Sequence, residues 1–182
     1  MLRMSISVVH LPVPHPATLS VERLLVQCEW GRQRTSGPGG QHRNKVETGV
    51  WIHHVPTQFE AQAGERRSAE ENRKIAIGRL RLLLATYVRC PVLAGEIRSD
   101  LWLTRCPDGG SGRIVCSVSH EDYARLLAEA MDVIYAAEFD MKRASLRLGC
   151  SQSQLTKLVK NHPATFQFLN QERVARNLHP MK

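Results

Sequence analysis

The chain has 182 residues, 42% of them apolar and 23% charged, a globular composition that excludes a disordered chain and suits one core domain with an appendage. Lys and Arg number 25 against 17 Asp and Glu, and the resulting net charge of +8 points toward polyanionic partners, nucleic acid above all. No run approaches the ~18 apolar residues of a membrane span, so no membrane partner is expected.

Residues 1–18 read as a flexible, Pro-rich leader. The absence of acidic residues before Glu22, with Arg3, Ser5 and Ser7, fits an organellar presequence, but Pro12, Pro14 and Pro16 break the amphipathic helix such a segment needs. Ser20 is placed to cap a short helix over 21–28, and 29–34 reads as extended. Thr35–His42 holds three glycines and a proline with no apolar side chain to bury, and is a loop. One helical turn over 44–48 is expected. Gly49–Val55 and Phe59–Ala63 read as a hairpin turned at Pro56-Thr57-Gln58. Ser68-Ala69-Glu70-Glu71 is a capping-box start for a long helix with an apolar stripe at Ala76, Leu80, Leu83, Leu84 and Tyr87, ended by Pro91.

Beyond it, Ser99–Leu103 and Arg113–Val118 flank a Gly-rich turn and read as a β-hairpin. Ser119 opens a helix over 120–138. Three more helices are expected: 142–148 ending at Gly149, 152–160 capped by Ser151, and 163–177 opened by Pro163. Ala144–Leu155, with Leu148-Gly149 before a Ser-capped helix, has helix–turn–helix character. The predicted fold class is α+β, divided as leader 1–18, a domain over 19–90, and a hairpin-plus-helical region over 91–182.

Charge is distributed unevenly. Residues 1–90 carry 13 basic and 7 acidic side chains, 91–140 carry 4 and 9, and 141–182 carry 8 and 1. Two basic regions around an acidic middle suggest two interaction surfaces, although a solvated basic face gives the same arithmetic. Cysteines Cys28, Cys90, Cys106, Cys116 and Cys150 are odd in number and form no CxxC pair, which disfavours a disulfide framework and fits a reducing compartment. Cys106, Cys116 and His120 lack the spacing of a zinc knuckle. No metal and no cofactor are expected.

Gly39-Gly40-Gln41 is the informative triplet. Two glycines free the backbone for close approach to a ligand, and exposed N–H groups there can face a developing oxyanion. The Gln amide donates and accepts but is no base at neutral pH, so the device positions rather than transfers protons.

The run Arg34-Thr-Ser-Gly-Pro-Gly-Gly-Gln-His-Arg-Asn-Lys-Val-Glu-Thr48 resembles the catalytic segment of class I peptide chain release factors. The likeness continues through Val50, His54, Pro56-Thr57, Arg67-Ser68 and Asn72. It covers about 34–85 and more loosely 20–90. The resemblance implies a small α/β domain whose loop enters the peptidyl transferase centre of the large ribosomal subunit. Gln41 would direct water onto the ester of peptidyl-tRNA, its N–H would hold the oxyanion, and Gly39 and Gly40 would permit that shape. Gln41 is often N5-methylated in the family, which implies a glutamine methyltransferase as partner. Arg34, Ser36, His42, Arg43, Asn44, Lys45, Arg66 and Arg67 are the expected rRNA or tRNA contacts, the basic ones through phosphates. His42 and His54 are read as packing or RNA-contact residues rather than bases. The family usually has Gly after Pro-Thr, where this chain has Gln58.

Full release factors carry a codon-reading domain ahead of the loop, and the residues before position 35 are too few for one. The expectation is therefore codon-independent release: a monomeric ribosome-rescue peptidyl-tRNA hydrolase, cytoplasmic or, alternatively, in the mitochondrial matrix. Lys142, Arg143, Arg147, Lys157 and Lys160 make the helix–turn–helix segment basic and are the expected C-terminal RNA contacts. Two other readings stay open: a non-catalytic ribosome- or RNA-binding factor, and a DNA-binding regulator acting through 140–160.

Overall fold

The structure is a computed structural model that describes residues 8–34, 47–95, 97–107 and 113–182. The chain forms two compact units, one of residues 16–84 and the other of 85–182 together with the segment that ends at His15. The class is α+β, as the sequence implies.

In the 16–84 unit, Ser20 caps helix α1 (Val21–Val26) by accepting from Arg23 N–H. Strands β2 (Cys28–Gln33), β3 (Gly49–His54) and β4 (Phe59–Ala63) form an antiparallel sheet in the order β2-β3-β4. Their register pairs Gln33 with Gly49 and His54 with Phe59. Alternation puts Val50, Ile52, His54, Ala61 and Ala63 on the buried face, while Trp51, His53, Glu60 and Gln62 stay partly or fully exposed. Helix α2 (Ala69–Tyr87) adds Ala76, Ile77, Leu80 and Leu84 to the core. Each of the larger aliphatic side chains contributes about 1.5–3 kcal/mol when fully buried. The helix is tied to the sheet by Arg79 Nη1 donating to Gln62 O at 2.6 Å and by Arg73, whose guanidinium lies 4.5 Å from the Trp30 ring centroid.

The hairpin turn tests the departure at Gln58. That residue has φ +61°, the left-handed region where glycine is favoured, and its Nε2 donates to Val55 O at 2.7 Å. The turn keeps its shape without glycine by adding this local bond.

The other unit opens with a correction. Residues 8–15 belong to this unit, and 16–18 to the first, rather than to a flexible leader. Strand β1 (Val9–His10) pairs in parallel with β5 (Val88–Arg89), and Leu11 N–H continues the ladder to Arg89 O at 3.1 Å. His15 and Ala17 are buried. The pairing also explains why α2 stops at Tyr87 instead of continuing to Pro91: the next two residues are extended to meet β1. Residues 1–7 and the turn expected over 44–48, apart from 47 and 48, lie outside the described residues.

The hairpin over 99–118 is a second correction. Asp100–Arg105 is helix α3, capped by Ser99, whose hydroxyl accepts from Trp102 N–H at 3.1 Å. Residues 113–117 form no strand. Ser-Asp is a helix start, and the buried Trp102 supplies the apolar packing, donating Nε1–H to Leu148 O at 2.9 Å. Helix α4 (Asp122–Ala136) is the centre of this unit, with Tyr123, Leu126, Leu127, Met131 and Ile134 buried. Helices α5 (Met141–Leu148), α6 (Gln152–Lys160) and α7 (Pro163–Ala175) follow. Gly149 ends α5 at φ +63°, and Ser151 caps α6 by accepting from Gln154 N–H, so the helix–turn–helix punctuation holds.

Candidate functional site

Strands β2 and β3 are neighbours whose adjoining ends carry the segment from 34 to 48. Gly39, Gly40, Gln41, Ser36, His42, Arg43, Asn44 and Lys45 lie outside the described residues. The two ends of that segment are described, and they are built as a fixed base. Gln33 pairs with Gly49, and Gln33 Nε2 donates across the sheet to Gln62 Oε1 at 2.9 Å. Arg34, the residue after β2, is exposed and lies 3.7 Å from the carboxylate of Glu47, two residues before β3.

Asn72 organises this base. It is fully buried in the first turn of α2. Its Nδ2 donates to Thr48 O at 2.7 Å and to Arg66 O at 2.9 Å, and its Oδ1 accepts from Arg66 N–H at 2.9 Å. One amide thus satisfies three backbone groups and fixes the residue before β3 against the bend that leads into α2. Arg66 and Arg67 stand on that bend with exposed side chains. The sequence marked Asn72 only as part of a resemblance. Its role as an anchor depends on bonds to residues 48 and 66, which no local pattern announces.

His54 is a packing residue. It is fully buried, with Nδ1 2.7 Å from Thr57 Oγ1 and Nε2 3.0 Å from Gln27 Oε1. Burial, reinforced by the neighbouring His53, holds its pKa down at about 4, so it is neutral at pH 7. Thr57 Oγ1 also accepts from Phe59 N–H, which joins the His54 ring to the hairpin turn.

In the helical unit, Lys142, Arg143, Lys157 and Lys160 do not share one environment with Arg147. Lys142, Arg143 and Lys160 are exposed, Lys157 is exposed beside a groove, and Arg147 is half-buried and donates to Leu93 O at 3.2 Å. The groove, open and about 260 Å3 in volume, runs beside α6 and is lined among others by Arg113, Ser117, Gln154, Lys157 and Asn161. His120 is committed to Arg105 and to the start of α4: Arg105 Nη2 lies 3.2 Å from its Nε2, and Asp122 N–H donates to its Nδ1 at 3.1 Å. Cys106, Cys116 and His120 do not converge on a common point. Among the described residues, the one group of three metal-ligating side chains is His15, Cys90 and Asp132. No helix among the described residues is long and apolar enough to cross a membrane.

Part of the chain is similar to known proteins. The RF-1 domain matches residues 22–91. Peptide chain release factor 1 of Dictyoglomus thermophilum is 44% identical over 54 residues, which cover 30% of this chain and 15% of that protein. Peptide chain release factor 1 of Acidiphilium cryptum is 44% identical over 63 residues, 35% of this chain and 18% of that protein. Peptide chain release factor 2 of Clostridium perfringens is 37% identical over 75 residues, 38% of this chain and 21% of that protein. The chain spans about a fifth or less of the length of these curated relatives. The matched segment takes in the Gly-Gly-Gln triplet, the sheet, Asn72 and helix α2, and over residues 22–91 this chain is similar to the RF-1 domain of the peptide chain release factors.

Proposed function

We propose that this protein hydrolyses the ester of peptidyl-tRNA in the peptidyl transferase centre of the ribosome, without reading a codon. The carrying observation is the Gly39-Gly40-Gln41 segment inside a matched release-factor domain whose loop base is clamped by Asn72. In this reading a water attacks the ester carbonyl, the C–O bond to the tRNA ribose breaks, and peptide carboxylic acid and tRNA leave. Gln41 orients the water, and its backbone N–H holds the oxyanion of the tetrahedral intermediate. Gly39 and Gly40 allow the backbone to approach. A preorganised donor of this kind is typically worth ~10²–10³ in rate.

Arg34, Arg66 and Arg67, together with Ser36, His42, Arg43, Asn44 and Lys45, are proposed rRNA and tRNA contacts. The exposure of Arg34, Arg66 and Arg67 around a fixed loop base supports this. The helical unit is proposed as a second RNA-binding surface through Lys142, Arg143, Arg147, Lys157 and Lys160. Its support is the exposure of four of these side chains and the groove that Lys157 shares with Arg113. Gln41 is the proposed substrate of a glutamine methyltransferase. Codon independence is part of this proposal, and the release assay below decides it. The proposed setting is a monomer in the cytoplasm, or in the mitochondrial matrix.

The test is peptide release by purified protein from ribosomes that hold peptidyl-tRNA, with the decoding site occupied by a stop codon, by a sense codon or by truncated mRNA. Comparable release in the three is expected. Release only at a stop codon removes the rescue reading, and no release under any condition leaves the RNA-binding alternative.

A further inference from the structure

Three chemically distinct metal-ligating side chains meet inside the helical unit. His15 comes from the segment after β1, Cys90 from the residue after β5, and Asp132 from the penultimate turn of α4. They are only 5%, 7% and 8% exposed. A ring nitrogen, the thiol sulfur and a carboxylate oxygen all lie within 4.8 Å of one another. Cys90 N–H donates to Asp132 Oδ1 at 3.0 Å, Val88 O lies 3.3 Å from His15 Nε2, and Cys90 Sγ is 3.5 Å from Pro12 O.

The group is unusual as a hydrophobic-core element. Asp132 forms no ion pair with any described residue, so its carboxylate, if charged, would be buried with a single backbone donor. The Arg89 guanidinium hydrogen-bonds the carbonyl oxygens of Ala85, Thr86 and Val88 and acts on Asp132 only through space, without an ion-pair contact. Buried charge is retained where it is paired or where it coordinates a metal.

We propose that His15, Cys90 and Asp132 are the protein ligands of a divalent metal site of the zinc class. One nitrogen, one sulfur and one oxygen donor suit a borderline-soft cation and disfavour calcium or magnesium, which take oxygen alone. A dication with a thiolate and a carboxylate is neutral in sum, which is what a buried centre needs. The Pro12 carbonyl or a water completes four-coordination. Val88 O is the kind of backbone acceptor that orients a ligating imidazole, and Cys90 N–H does the same for the Asp132 carboxylate. The site would join the segment ending at His15 to the exit of α2 and to α4, so binding would add to folding stability. This inference stands independently of peptide release.

The experiment uses the full chain, purified without a metal-binding tag, stripped with chelator and titrated with Co2+ and then Zn2+. Expected are one equivalent of bound metal, a near-ultraviolet thiolate-to-cobalt charge-transfer band, and a higher Tm with Zn2+. Cys90→Ser should abolish the band, while Cys150→Ser, at another buried thiol, should keep it. His15→Gln and Asp132→Asn should weaken uptake at least tenfold, and these two decide the matter if Cys90→Ser fails to fold. A parent protein that takes up no metal overturns the proposal. So does a band that persists in folded Cys90→Ser, or full-affinity uptake by both His15→Gln and Asp132→Asn.

Discussion

Replacing Asn72 by Ala removes one side chain and strands three backbone groups: Thr48 O, Arg66 O and Arg66 N–H. Each lost hydrogen bond has a net worth of about 0.5–1.5 kcal/mol, and a buried group without a partner costs toward the upper end. With the site fully buried, the three together come to roughly 3 kcal/mol. For a protein of this size that corresponds to a Tm lowered by roughly 6–12 °C. The effect has a location as well as a size. The bonds converge on the residue before β3 and on the bend before α2, so amides of Gly49–Trp51 and Arg66–Ser68 should lose exchange protection ahead of those in α4. Peptide release should also fall under conditions where the variant is still folded, because the loop base is no longer held. The measurements are thermal denaturation, amide hydrogen exchange and single-turnover release on the same samples. A Tm indistinguishable from that of the parent, or a loss of protection spread evenly over both units, would refute the reasoning that Asn72 is the anchor.

Gly40→Ala should lower release by ~10²–10³ while ribosome binding, measured by cosedimentation, stays near the parent value; release at the parent rate would remove the loop from catalysis. Acid should act through His54. Its pKa is about 4 in the folded protein and about 6.5 when unfolded, so between these values the unfolded chain binds the extra proton. Its contribution is full above pH ~6.5 and is lost as pH falls toward ~4, by up to about 3 kcal/mol, and His54→Gln should flatten the denaturation-midpoint curve across that window; parallel curves for the two proteins would contradict this. Gly149→Ala would force a Cβ at φ +63° to within 2.7 Å of Arg98 Nη1, with an expected cost of about 1–2 kcal/mol in urea denaturation. Changing Lys142, Arg143, Lys157 and Lys160 together to Ala should flatten the salt dependence of ribosome binding by roughly 0.7–0.9 in log–log slope for each phosphate no longer neutralised; an unchanged slope would assign the basic helices to solvent.

What the sequence made legible was local. Ser20, Ser68 and Ser151 precede helices because a hydroxyl there meets orphan N–H groups, and Gly149 ends one because the left-handed cap favours it. The β3–β4 hairpin followed from alternation around Pro56-Thr57. The misreadings were also physical. At Ser99–Leu103 a short apolar run carried both a strand pattern and a cap, and the cap prevailed once Trp102 found its place in the core. Residues 8–18 looked like a leader because their partners, Val88 and Arg89, are distant in sequence and backbone pairing leaves no side-chain signature. The candidate site divided the same way: the Gly-Gly-Gln triplet is visible as composition, while Asn72 and the His15–Cys90–Asp132 group exist only through encounters between remote segments.

The β1–β5 pair bears on how the protein is made. The first strand leaves the ribosome early, but the strand it pairs with and the helix α4 that completes its surroundings emerge much later in synthesis. Residues 16–84 can therefore collapse first as a contiguous unit, whereas the other unit must wait for the chain to return to its own beginning. Until then Val9 and its neighbours are unpaired β-edge on a nascent chain, the exposure that chaperones recognise and that aggregation exploits. An expression tag or deletion near residue 9 would accordingly be felt in the maturation of the distant helical half.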